Sequence, residues 1–281
     1  MKPTQAILPV AGLGTRFLPW TKVVPKEMLP IGNEPLIARL VDECLDIGIT
    51  DICFVISKGK EIIPEYFFRD PKLEEELRKR GKDDLVAHRK RYESVNFHTV
   101  YQHEQLGDGH AILQAADWVK TDCVAIVFGD DLIHGKKSAL QQLVRAQEIA
   151  ADPEAAFIAL ENIAREDTRR YGIVAVESEH ESHVRLKKIN GLIEKPKPEE
   201  APSTLGIIGR YIIPKSTIEI LPRVNSRHGG EIRLIDALIT QLGDITIYGY
   251  ECEGKRIDTG TPNGYIEAVK ILGAKEEVAA V

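Results

Sequence analysis

Short β-rich runs alternate with helical patterns from the first residues onward, and this alternation limits the possible folds more than any single motif. Residues 5–10 (QAILPV), 51–57 (DICFVIS), 96–101 (NFHTVY) and 123–128 (CVAIVF) read as strands. Residues 35–47, 109–119 and 138–150 read as helices; in the first, Ile37, Leu40, Val41, Cys44 and Leu45 share one face. Strands separated by helices need crossover connections, so the expected core is a Rossmann-like α/β sheet, mixed but mostly parallel and flanked by helices. After about residue 150 the texture changes. Strands at 155–160, 172–176, 185–193 and 207–213 follow with fewer helices between them, before helices return at 216–221, 231–242 and 263–272. The expected organisation is one domain over 1–281, with a first half at 1–150 and a smaller α+β second half at 151–281 that ends in a helix.

Composition narrows the partners. The 281 residues include 37 Lys+Arg and 43 Asp+Glu, a formal net charge of −6, and 43% are hydrophobic. Disordered, collagenous and fibrous classes are excluded, and a mildly acidic chain has no overall electrostatic reason to coat nucleic acid. A small anionic ligand held in one positive pocket fits better. No apolar run reaches the ~18 residues a membrane span requires, and the N-terminus carries no secretory apolar segment. Cys44, Cys53, Cys123 and Cys252 are widely spaced without a CxxC pair and sit in or beside apolar runs. They read as free thiols in a reducing compartment, so a cytoplasmic protein is expected. Residues 70–93 (DPKLEEELRKRGKDDLVAHRKRYE) mix both charge signs and read as a solvated helical hairpin laced with i,i+4 pairs.

The connection between the first strand and first helix, residues 11–34 (AGLGTRFLPWTKVVPKEMLPIGNE), far exceeds the ~2–6 residues usual in α/β units. Gly12 and Gly14 permit close backbone approach to a ligand, and N–H groups at the C-terminal end of a strand can cradle phosphate oxygens. Arg16 and Lys26 supply fixed positive charge, while Pro19, Pro25 and Pro30 stiffen the loop. The Rossmann dinucleotide fingerprint fails here because Phe17 stands where its third glycine belongs, and no Walker A sequence occurs. Asp130 ends an apolar strand, where a carboxylate can project into a crevice or simply cap a turn. Asp258 in RIDTG is open to the same two readings. Glu194-Lys195-Pro196 can be a surface turn. His180 and His183 in EHESH lack metal-ligand spacing and read as solvated.

GLGTRFLPWTK followed by PKEMLPI resembles the signature loop of the sugar nucleotidyltransferases, and within them the bacterial uridylyltransferases. The resemblance continues in the same order along nearly the whole chain: YQHEQLGDGHAI (101–112), FGDDLI (128–133), RYGIV (170–174), LIEKPKPEEAPS (192–203), IGRYII (208–213), GGEIRLIDAL (229–238) and GKRIDTG (254–260). It implies a nucleotidyltransferase fold of the glycosyltransferase-A-like type, and Mg²⁺-dependent transfer of a uridylyl group from UTP to a sugar 1-phosphate, glucose 1-phosphate being favoured. It also implies homodimers or homotetramers. Composition gives no reason to expect a membrane or nucleic-acid partner, and the sequence stops soon after the last helix, so no β-helical acyltransferase or regulatory domain is expected there. By the same resemblance, Ala11, Gly12, Gly14, Thr15, Arg16, Lys26, Gln102 and Gly107 bind the nucleotide. Gly172, Glu194 and Lys195 take the sugar phosphate, Arg16, Lys26 and Lys195 act on the reacting phosphates, and Asp130 with Asp258 holds the metal. Asp131 would be an outward or supporting neighbour, and His110 would orient a helix start. Pro262 stands where the uridylyltransferases usually carry Lys, Arg233 and Ile235 where they carry Gln and Thr, and Thr204 where they carry Asn. All four lie in the sugar-facing half. A uridylyl- or thymidylyltransferase for another sugar 1-phosphate and a non-catalytic nucleotide-sugar-binding regulator are the alternatives.

Overall fold

The computed structural model describes residues 2–224 and 230–273, excluding the side chains of 86–89. Gly229 of the 229–238 motif therefore lies outside the described residues. The strands are β1 (Gln5–Pro9), β2 (Pro30–Ile31), β3 (Glu34–Pro35), β4 (Asp51–Ile56), β5 (Asn96–Tyr101), β6 (Cys123–Val127), β7 (Asp131–His134), β8 (Ala156–Asn162), β9 (Gly172–His180), β10 (His183–Glu194), β11 (Leu205–Pro214), β12 (Ile247–Glu251) and β13 (Lys255–Asp258). One nine-stranded sheet runs β5-β4-β1-β6-β11-β8-β12-β10-β9. Its pairings β5–β4, β4–β1, β1–β6 and β8–β12 are parallel, and the others are antiparallel.

The central parallel strands β1, β4 and β6 are apolar over most of their length because both faces are covered, whereas the edge strand β5 alternates with exposed residues. Ala6 and Leu8 of β1 point into a core shared with Ile37, Leu40 and Val41 of the helix Leu36–Leu45. Ile7 points the other way, into a core with Ala111 and Ile112 of the helix Asp108–Gln114 and Leu234 and Leu238 of the helix Leu234–Thr240. A third cluster packs the helix Ala139–Ala150 on Phe157 and Ile212, and that helix opens with a capping box between Ser138 and Gln141.

This topology fixes the location of a site. From β1 the chain winds to β4 and β5 on one side, and it then returns to β6 on the other, so the C-terminal ends of β1 and β6 flank a switch point. The long loop leaves β1 there and Gly129-Asp130 leaves β6 there. β7 and β13 form a separate antiparallel ladder in which Asp258 lies opposite Asp131, which brings the two ends of the sequence together.

Several segments differ from the sequence expectation, β7 and β13 among them, which no expected strand covers. Another is β12, whose central Gly249 is required, since a Cβ there would lie 2.3 Å from Leu160 Cδ1 on β8. The helix expected at 231–242 is confined to Leu234–Thr240. Residues ahead of it are extended because Ile232 N–H donates to Leu106 O at 2.7 Å and Ile232 O accepts from His110 N–H at 3.2 Å. The charged segment is helical at Pro71–Lys79, capped by Asp70 and carrying the i,i+4 pairs Glu75–Lys79 and Glu76–Arg80. Its end is not solvated, however: Arg91 bridges Glu34 and Asp42, and Tyr92 is buried against Phe67. Among the described residues no helix is long and apolar enough to cross a membrane. No disulfide joins any two of the four cysteines.

Candidate active site

Two adjoining clefts open at the switch point, of about 380 and 400 Å³, and Asp108, Phe128 and Asp130 line both. The first is built from the long loop. Gly14 adopts φ +64°, and a Cβ there would press to 3.0 Å from Thr21 Cγ2, so glycine is required. Its carbonyl accepts from Thr21 Oγ1 at 2.8 Å, and the loop continues through three 3₁₀ turns. Lys60, just beyond β4, locks the loop in place. Its Nζ donates to Val10 O and Gly12 O, each at 2.6 Å, and pairs with Glu27 Oε2 at 3.0 Å. Burial pushes the Lys60 amine below its ordinary value despite the opposing carboxylate of Glu27. Ala11, Gly12 and Lys26 thereby line one wall of the first cleft, while Gly14 and Thr15 line neither cleft.

The opposite wall is the segment 102–110. Gln102 is buried, and its Nε2 reaches Gly107 O at 2.9 Å and His110 Nδ1 at 3.1 Å. The amide nitrogen is thus turned inward, which leaves the carbonyl oxygen for a ligand. Gly107 has φ +104°, and a Cβ there would lie 2.3 Å from Ile232 O. Asp108 accepts from Leu234 N–H at 2.8 Å, completing the stitching of 106–110 to 232–234. The surrounding protein, together with Glu194, pushes the Asp108 carboxyl up to about 6.

Acidic residues from both halves meet between the clefts. A Cβ placed on Gly260 would lie 3.3 Å from Asp130 Oδ2 and 3.1 Å from Asp258 Oδ1, so the absence of that carbon keeps a gap open between two carboxylates. Hard oxygen donors in this arrangement suit Mg²⁺, which binds through one or two carboxylates and keeps its remaining positions for phosphate and water. Among the described residues no group of three or more His, Cys, Asp or Glu forms a closed metal cage. Lys26 Nζ lies 3.5 Å from Asp130 Oδ2, and its positive charge holds the Asp130 carboxyl below the usual range. Burial would lower Lys26, but Asp130 and Glu27 outweigh it and raise its pKa. Asp258 pairs with Arg170 at 2.9 Å and accepts from Gly260 N–H at 3.0 Å. Arg16 reaches Gly260 O at 3.4 Å.

Asp131 faces inward. Its Oδ1 takes Arg256 Nε at 2.6 Å and its Oδ2 accepts from Gly209 N–H at 3.1 Å, so it anchors the turn that presents Asp130. Arg256 also donates to Tyr171 Oη at 2.8 Å.

The second cleft is floored by Gly172, where a Cβ would lie 2.7 Å from Ile235 Cδ1 and 3.3 Å from Glu194 Oε2. Glu194 ends β10, and Lys195 follows at φ +48°, rare for a non-glycine residue, with its amide bonded to Tyr171 O. Lys195 Nζ lies 3.1 Å from Glu194 Oε1. Arg16, Asp130, Gly172, Glu194, Lys195 and Asp258 therefore line one cleft, and Ala11, Gly12, Lys26, Gln102, Gly107 and Asp130 the other. Sequence reasoning missed Arg170, Tyr171 and Arg256 as cleft residues. RYGIV held the signal for the first two, whereas only the β7–β13 register reveals Arg256. His180 and His183 face each other across the β9–β10 turn, away from the clefts.

Residues 5–275 match the model of the nucleotidyl transferase family, and the chain belongs to that family. Its similarity to particular members is extensive. It is 38% identical over 267 residues to a UTP–glucose-1-phosphate uridylyltransferase of Pseudomonas aeruginosa, covering 94% of each chain. A UDP-glucose pyrophosphorylase solved with UDP-glucose superposes with a TM-score of 0.85 at 34% identity, over 97% of this chain and 99% of that one. The UTP-bound enzyme of Acinetobacter baumannii gives 0.87 at 33% identity, over 99% and 98%.

Proposed function

We propose that this chain transfers a uridylyl group from UTP to glucose 1-phosphate, releasing pyrophosphate and forming UDP-glucose. The observation that carries this reading is the meeting at one switch point of Lys26 from the long loop, Asp130 and Asp258 from opposite halves, and the Glu194-Lys195 pair across an open cleft. Residues 1–150 serve the nucleotide and 151–281 the sugar, within one domain. The base lies toward Gln102 and Gly107, and Ala11 and Gly12 allow the triphosphate close to the backbone. Gly14 and Thr15 shape that loop. Arg16 and Lys26 hold the phosphates that leave.

Asp130 and Asp258 are the residues that would hold Mg²⁺, which when bound neutralises phosphate charge and orients the triphosphate. Glu194 accepts from sugar hydroxyls above Gly172. The sugar phosphate is already an anionic nucleophile at neutral pH, so no side chain need deprotonate it. One of its oxygens forms the new bond to the α-phosphorus of UTP as the bond to pyrophosphate breaks on the opposite side. Lys195 is half exposed and only 3.1 Å from Glu194, placed to turn onto the phosphates and stabilise the charge that builds between them. Positioning and charge neutralisation supply the catalysis. The protein acts in the cytoplasm as a homodimer or homotetramer.

Lys195→Ala is expected to lower kcat by on the order of 10²-fold with the melting temperature unchanged, the size of effect seen when one charge-stabilising donor is removed. Steady-state kinetics beside a thermal melt check this, and a near-normal kcat would remove Lys195 from the role. The reaction is tested by pyrophosphate release with UTP or dTTP against glucose, galactose, mannose and N-acetylglucosamine 1-phosphates, with controls lacking sugar or metal. Release that requires UTP, glucose 1-phosphate and Mg²⁺ is expected. Release with another sugar alone would move the substrate, and silence with UDP-glucose still bound would indicate a regulator.

A further inference from the structure

The sugar-side wall carries more fixed charge than the proposed transfer uses. Glu194 Oε1 is contacted twice, by Arg233 Nη1 at 2.9 Å and by Lys195 Nζ at 3.1 Å. Its other oxygen, Oε2, faces the floor at Gly172. The two cations differ in freedom. Lys195 is half exposed on a flexible stem, whereas the Arg233 side chain is 18% exposed and is gripped at its far side by Glu231 Oε2, at 3.1 Å from Nε and 2.7 Å from Nη2. The Arg233 backbone is fixed as well, since it opens the helix Leu234–Thr240 beside the stitch to 106–110. When Lys195 turns onto phosphate, Arg233 is the cation that stays on Glu194.

This arrangement has a consequence for recognition. With Lys195 on phosphate, Glu194, Arg233 and Glu231 share a net charge of −1, and the guanidinium lies between the two carboxylates, so Glu194 offers a ligand a hydrogen-bond acceptor whose charge is offset but not cancelled. The same carboxylate without its partner would present a bare negative charge and attract a cationic ligand. We infer that Arg233 is a specificity-determining positioning residue: by fixing Glu194 and offsetting its charge, it sets the pocket for a neutral hexose 1-phosphate and against one bearing an ammonium group. This inference rests on the uridylyl-transfer reading of the same site.

The test compares kcat/KM for glucose 1-phosphate and glucosamine 1-phosphate, and KM for UTP, in the wild type, Arg233→Met, Arg233→Gln and Arg233→Lys. In the methionine variant, KM for glucose 1-phosphate should rise about tenfold or more while KM for UTP stays within about twofold. The ratio of kcat/KM for glucosamine over glucose 1-phosphate should rise about tenfold, the scale of one charge pair in a partly exposed site. Arg233→Gln, which keeps a hydrogen bond but no charge, should raise that ratio too. Arg233→Lys should restore it toward the wild type. A merely structural role would depress both sugars alike and leave the ratio unchanged, in any of the variants that folds, and that result would overturn the inference. Wild-type silence with UTP and glucose 1-phosphate would instead remove the transfer reading and this inference with it.

Discussion

Asp130→Asn is expected to lower kcat by on the order of 10³-fold, about 4 kcal/mol of transition-state stabilisation, while the protein still folds. The reason lies in the local charge balance. Asp130 is held ionised by Lys26 at 3.5 Å, and Asp130 and Asp258 flank the gap that Gly260 leaves open. An amide keeps the shape but removes one of two formal negative charges available to a divalent cation, and it leaves Lys26 facing Asp130's former position without its neutralising partner. Kinetics at saturating UTP and a thermal melt measure the effect. A fall of less than tenfold would show that Asp130 does not hold charge at the reacting phosphates.

The second large effect falls on stability and comes from a pair that touches no ligand. Arg210, in the middle of β11, is 2% exposed and forks onto Glu43 Oε2 at 3.0 and 2.9 Å. It also donates to Phe128 O at 2.9 Å and Asp131 O at 2.7 Å, so it holds the carbonyls on both sides of the turn that presents Asp130. Glu43 in turn accepts from Leu140 N–H at 2.9 Å. Glu43→Ala strands a buried guanidinium, and such losses cost about 3–5 kcal/mol, a drop in melting temperature of roughly 10 °C for a chain of this size. Replacing both partners with apolar residues, Glu43→Leu with Arg210→Met, should recover much of the stability. It should not recover activity, because the two turn carbonyls then lose their donor. Full activity in the double variant would detach this pair from the site.

These two residues also show where sequence reasoning reaches its limit. Features set by neighbours in the chain were legible: the apolar runs of β1, β4 and β6, the helix over 138–150, and the glycines, lysine and prolines of the long loop. Asp130 and Asp258 were named as a pair, and the β7–β13 register accounts for how they come together. What escaped depends on contacts between distant parts of the sequence. Arg210 and Glu43 are 167 residues apart, and Arg256 and Asp131 are 125 apart. An arginine inside IGRYII is a visible anomaly, but nothing near it identifies its partner. β12 was missed for a similar reason, since the close approach of Leu160 that demands Gly249 comes from a strand nearly ninety positions earlier. Arg233 was noticed only as a departure from a pattern. Its meaning emerged once Glu194 stood 2.9 Å away.

The most direct test of the transfer itself follows the α-phosphate. With UTP labelled there, incubation with unlabelled glucose 1-phosphate and Mg²⁺ should place the label in UDP-glucose and release one unlabelled pyrophosphate for each molecule formed. Label recovered as UMP, or remaining in UTP while UDP-glucose still binds, would contradict uridylyl transfer by this chain.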